Sequence, residues 1–155
     1  MEENMNIFEA IMDGNAEAAE QILNSGTDVN VRDEDGNTPL ILSAYYGQAE
    51  ITSMLLGKGA EADAKNDDGF TALNMAALSG ETIIAVMLVE KGADKNAADS
   101  RGRTPLLTAA ANMNADIIRM LIADKADLSV RDEDGKTAAD LFRESCAELL
   151  KELEK

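Results

Sequence analysis

Four glycines recur at intervals of 33 residues, Gly36, Gly69, Gly102 and Gly135, and each is followed two positions later by a threonine, Thr38, Thr71, Thr104 and Thr137. Other positions keep the same beat. Gly47 and Gly80 are one period apart, as are Gly59 and Gly92, and the aliphatic pairs Leu55-Leu56, Leu88-Val89 and Leu121-Ile122 stay in phase. One period earlier, Gly14, Gly26 and Ile22-Leu23 mark a first unit without its entry loop, while Asp134-Gly135-Lys136-Thr137 opens a fifth whose second helix is expected to end the chain. The sequence therefore reads as one domain, 1–155, with a capping unit at 1–32, internal units at 33–65, 66–98 and 99–131, and a second cap at 132–155. Such a chain is a one-dimensional stack, in which each unit buries the faces of its neighbours.

Local chemistry specifies each unit. Asp33-Glu34-Asp35-Gly36-Asn37 is a run of turn formers, so a loop is predicted. Thr38-Pro39 then starts a helix: the hydroxyl caps free backbone N–H groups, and proline at the first helical position loses no hydrogen bond. Gly47 is expected to end this short helix. The spacing of Ile51, Met54 and Leu55 gives a second, amphipathic helix that stops at Gly59. Helices this short are marginal alone, which again demands stacking. Aromatics at 3% within an apolar share of 45% suit thin, closely packed helices.

The phrases Asp35-Gly36-Asn37-Thr38-Pro39-Leu40, Arg101-Gly102-Arg103-Thr104-Pro105-Leu106 and Lys91-Gly92-Ala93-Asp94-Lys95-Asn96 closely resemble the ankyrin repeat, over about residues 5 to 153. The resemblance implies an all-α solenoid of stacked helix-turn-helix units with projecting hairpin-like loops, or fingers. It also implies protein binding on the concave groove made by finger tips and first helices, with no cofactor. Members usually carry a histidine after the TP-L phrase that bonds between neighbouring loops. This chain has no histidine and places Ile41, Asn74 and Leu107 there, with Phe8 in the first unit. Aliphatic packing is expected at Ile41 and Leu107, and Asn74 needs partners of its own if buried. The fourth unit carries Met113 and Lys125 where its neighbours have glycine. Left-handed backbone costs such residues roughly 1 kcal/mol or more, so rebuilt turns are expected, with Asn112 or Asn114 taking the unusual conformation. Phe142 is expected to fill the terminal layer, and polar residues at both ends (Glu17, Glu20 and Gln21; Glu144, Glu148, Lys151 and Glu152) to cap a monomer.

The same register separates residues the stack needs from those it leaves free. Tyr45, Tyr46 and Phe70 fall on phases that the family uses for surface contacts, Phe70 at a finger tip, and are expected to converge with Met12 and Leu78 as an apolar centre. Asp13, Arg32, Glu34, Asn37, Lys65, Asp67, Ser79, Arg101, Arg103 and Asn112 form the polar rim. Met54, Met87 and Met120, one period apart, read as core filler.

Net charge is −16, with 30 acids against 14 bases, so polyanionic nucleic acid is repelled and the expected partner is a protein with a basic and apolar surface. The N-terminal 31 residues hold seven acids and no base, which makes that end the negative pole. Without histidine no Ser-His or Cys-His pair exists, and the finger acids lack calcium-loop spacing, with Val31 and Leu42 at its first and twelfth positions. No catalytic or metal site is read. No glycine opens a nucleotide cradle. The lone Cys146, the absence of a basic leader at Met1 to Ile7, and the lack of an apolar run of roughly 18 to 20 residues fit a cytoplasmic setting. Two other readings stay open: an engineered or natural-derived scaffold of this family, and a structural, self-associating protein without a discrete ligand.

Overall fold

The computed structural model describes residues 5–153; Glu2 and Glu3 of the acidic stretch lie outside them. Nine helices occur among the described residues, with no strand: α1 Ile7–Met12, α2 Ala16–Asn24, α3 Pro39–Tyr45, α4 Ala49–Gly57, α5 Ala72–Ser79, α6 Thr82–Glu90, α7 Pro105–Ala111, α8 Ala115–Ala123 and α9 Ala138–Leu153. They stack in two layers. First helices α1, α3, α5, α7 and α9 pack side by side, second helices α2, α4, α6 and α8 do likewise, and each pair packs within its unit.

The caps form as the threonines predict. Thr38, Thr71 and Thr104 each accept from the N–H three residues on, and Pro39 and Pro105 open their helices. Burial follows the period. Leu40, Leu73 and Leu106 on the first helices, with Ile51, Ile84 and Ile117 and Leu55, Leu88 and Leu121 on the second, are almost wholly excluded from water. Met54, Met87 and Met120 pack half-buried against this core. At the loops, Asp33, Asn66, Asp99 and Asp132 each donate their N–H to the carbonyl four residues later, closing the fingers. Adjacent fingers join through Asp67 N–H to Asp35 O (3.1 Å), Ser100 N–H to Asp68 O (3.0 Å) and Glu133 N–H to Arg101 O (3.1 Å).

At the histidine position, Ile41 and Leu107 are buried as expected, and Asn74 finds four partners. Its Oδ1 accepts from Thr71 N–H (3.0 Å) and hydroxyl (2.8 Å), and its Nδ2 donates to Ala97 O and Arg103 O, each at 3.3 Å. A polar bridge between neighbouring units therefore survives in the middle of the stack.

The fourth unit overturns the expectation of rebuilt turns. Met113 and Lys125 themselves take the left-handed conformation, at φ 56° and 62°. The turn bonds are unchanged: Asn114 N–H to Ala109 O (2.9 Å) matches Glu81 N–H to Ala76 O (2.9 Å), and Ala126 N–H to Leu121 O (2.9 Å) matches Ala93 N–H to Leu88 O (3.0 Å). Space explains the tolerance. A Cβ on Gly80 would meet Asn114 Oδ1 of the next unit at 3.1 Å, whereas one on Gly92, in the register of Lys125, meets nothing. Past Met113 the next unit has no turn to crowd it. Only backbone strain remains, so Lys125→Gly should stabilise the protein by a net 0.5 to 1 kcal/mol, roughly, after the greater freedom of glycine in the unfolded chain is counted. A melting temperature at or below that of the parent in differential scanning calorimetry would refute this.

The fifth unit differs as well. Instead of a helix pair, α9 runs unbroken for 16 residues. Cys146 stands where Gly47 and Gly80 end their helices, and the helix-forming stretch Ala147-Glu148-Leu149-Leu150 follows it. Thr137 and Asp140 cap its start reciprocally, and the Thr137 N–H and hydroxyl hold the Asp140 carboxyl below the ordinary aspartate value. Phe142 does not fill a terminal layer; it is partly exposed at the edge of an apolar hollow.

Candidate functional site

Because successive units repeat the same geometry, residues of one phase form a row across neighbouring helices. Met12, Tyr45 and Leu78 are such a row on the C-terminal ends of α1, α3 and α5, and all three are exposed. Asp13, Tyr46, Ser79 and Asn112 form the adjoining row, each exposed at or just beyond a helix end. Tyr45 closes α3 and Tyr46 follows as its cap, with their rings edge to face at 5.1 Å. A rigid pair of large side chains thus stands in the middle of an otherwise modest surface.

Phe70 is placed differently from expectation. It lies past the turn, on the descending arm of its finger, partly buried, where its N–H meets Asn66 Oδ1 (2.9 Å) and its carbonyl accepts from Asn66 N–H (3.0 Å). Among the described residues it shares no ring contact with the tyrosines. The finger tips are instead Glu34-Asp35, Asp67-Asp68, Ser100-Arg101 and Glu133-Asp134, all exposed. Of the predicted rim, Glu34, Asp67 and Arg101 therefore stand at the tips.

Several other rim residues have duties inside the stack. Asn37 is buried; its Nδ2 donates to Asp33 Oδ2 (3.0 Å) and its Oδ1 accepts from Asn66 Nδ2 (2.8 Å). Arg103, two periods along, is half-buried with its Nε unpartnered among the described residues. Arg32 donates to Gly36 O (2.8 Å) and Lys65 O (2.7 Å), and Lys65 donates to Ala98 O (2.7 Å), so each cation ties its unit to the next. Both keep exposed surface. Arg101 pairs with Glu133 of the following finger at 2.6 Å, and that hydrogen bond and charge raise its pKa above the ordinary arginine value. Asn112 donates back to Thr108 O (2.8 Å).

One ladder escapes a reading that looks for surface contacts. Asn30, Asp63 and Asn96, one period apart, each accept the N–H of a residue in the next unit, Glu61, Asp94 and Asp127, at 2.7 to 2.9 Å. Its signal is the repeated Asn/Asp at that phase, visible in the row but masked by the general abundance of acids.

No group of three or more Asp, Glu or Cys side chains among the described residues is arranged to hold a metal ion. No helix of the described residues is long and apolar enough to cross a membrane.

Family models agree with the architecture. One for ankyrin repeats (3 copies) matches residues 7–99, and one for ankyrin repeats (many copies) matches residues 88–142. No curated protein gives a significant match to the chain. With a family match over more than half its length, on a stack of helix pairs whose caps, turns and fingers repeat every 33 residues, the chain belongs to the ankyrin-repeat family.

Proposed function

We propose that this protein binds another protein through the face formed by its first-helix ends and finger tips, without catalysis and without a cofactor. Ankyrin repeats are generally non-catalytic protein–protein interaction modules. The observation that carries the reading here is the exposed row Met12, Tyr45 and Leu78, with Tyr46 beside it, bordered by the charged finger tips. An apolar, aromatic centre inside a polar border is the composition of a specific interface, and the binding energy concentrates in the central anchors. The partner offers an apolar patch for the tyrosines and basic groups for the acidic N-terminal units. Between Met5 and Val31 the exposed acids Glu9, Asp13, Glu17, Glu20 and Asp28 face no base of their own. A polyanion such as nucleic acid is repelled by the same charge. Three or four fingers offer an interface of ordinary size, about 800 Å² on this side.

Site-specific photocrosslinking tests the face used. A crosslinker at Ser79, in the proposed site, should capture the partner, whereas one at Ile83, exposed on α6 in the other layer, should not. Capture from Ile83 alone would overturn the assignment.

A further inference from the structure

Because α9 runs straight where the other units turn back, it packs on α7 and leaves the C-terminal side of α8 bare. Between α7, α8 and α9 lies an open apolar hollow of about 240 Å³, whose lining includes Ile118, Ile122, Leu128 and Phe142. In every other unit a second helix covers this side of its predecessor. At 16 residues α9 is about 24 Å long, against about 10 Å for the seven-residue α7, so its distal half projects beyond the helix it packs on. One face of α9 is apolar: Phe142, Cys146, Leu149 and Leu153 follow the 4-3-4 spacing of a helix-pairing seam, with Leu150 beside it; Cys146 rests on Met113 (Sγ–Sδ 3.9 Å), and the leucines lie on the projecting half. Leu149, Leu150 and Leu153 are 45, 59 and 76% exposed. One end of the molecule thus presents both an apolar hollow large enough for a few side chains and the exposed leucines of a projecting helix.

We propose that the occupant is a second copy of this chain, the projecting half of α9 from each copy lying across the other's hollow and inserting its leucine side chains there. Such an exchange is two-fold symmetric and closes on itself, so both exposed features are buried in a dimer and none is left to propagate a fibre. Charge favours this end. Residues 99–155 carry nine bases and twelve acids, a net of −3, whereas residues 1–98 carry five bases and eighteen acids, a net of −13. Pairing through the C-terminal end therefore meets the least self-repulsion of a chain at −16. Complementary groups are in place: Arg119 stands beside Ile118 and Phe142 at the lip of the hollow, its side chain 76% exposed and held by an exposed i,i+3 pair with Asp116 (2.8 Å), and Glu148 and Glu152 flank the leucine seam. The expectation of a monomer rested on polar caps at both ends, but at this end only one face of α9 is polar.

Sedimentation equilibrium at ~100 µM should give twice the 16.5 kDa of one chain, with dissociation on dilution. The doubly substituted Leu150→Glu, Leu153→Glu protein and the singly substituted Ile122→Lys protein should each sediment as monomers with an unchanged circular dichroism spectrum, since all three side chains are exposed. Mixing a Leu153→Glu chain with an Ile122→Lys chain should restore a heterodimer, because one half of the interface is then native and the other pairs opposite charges. A parent chain that stays monomeric overturns the proposal and leaves the hollow to another protein. A dimer that survives the Leu150→Glu, Leu153→Glu change overturns it as well. Neither result touches the tyrosine face, which lies on the other units.

Discussion

Asn74→Ala should lower stability by about 3 kcal/mol, which for a chain of this size is a fall in melting temperature of roughly 6–12 °C. The residue is fully buried on α5, and its amide is the bridge between the finger of its own unit and the segment that begins the next. Truncation strands the Thr71 N–H, which has no other acceptor once Oδ1 is gone, and the Ala97 carbonyl; Arg103 O still accepts from Asp99 N–H. It also leaves a void in a layer with no room to collapse. Asn74→Leu separates these causes. Ile41 and Leu107 occupy the same place in neighbouring units, and their fingers close without the bridge, so leucine should cost only about 1 kcal/mol. Thermal unfolding of the two variants side by side decides the matter: an alanine variant that melts with the parent would mean the bridge contributes nothing.

The second large effect is on binding. Tyr45→Ala and Tyr46→Ala should each weaken partner affinity by about 2 kcal/mol, close to 30-fold in Kd. Stability should fall by less than this, about 1 kcal/mol each, because the two residues are 44 and 43% exposed and neither belongs to the core. The rings also brace each other, so the double variant should lose less than the sum of the two. Ser79→Ala, on the adjoining row, should fall within experimental error. Titration calorimetry against the captured partner reads all four, and a double variant of parental affinity would move the anchors elsewhere. Phe70 is a weaker candidate than its phase suggests, since it is partly buried and its backbone is held in closing the finger.

How far the site was legible follows from how the rows arise. Tyr45, Met12 and Leu78 share a phase, and phase alone puts them on adjacent helix ends. Asn37 and Phe70 share a phase too, yet one is buried in a bridge to Asn66 and the other is half-buried on a finger arm, because the partners that draw them inward lie in the neighbouring finger or across the turn. The glycine positions tell the same story. Gly80 is crowded by Asn114 of the next unit, while Met113 and Lys125 hold the same left-handed backbone, Met113 where the next unit has the helical Cys146 in place of a turn and Lys125 in the register of Gly92, before which nothing stands.

The repeat of 33 residues, with its threonine caps, prolines and aliphatic pairs, was enough to specify the all-α stack of helix pairs and its core, because those depend on periodic local chemistry that each unit states in its own residues. What each surface residue is free to do, and how the stack ends, depends on contacts between units that no single unit encodes. Asn74 became a bridge through the Arg103 carbonyl of the next unit, and α9 became one long helix because no residue near Cys146 turns the chain.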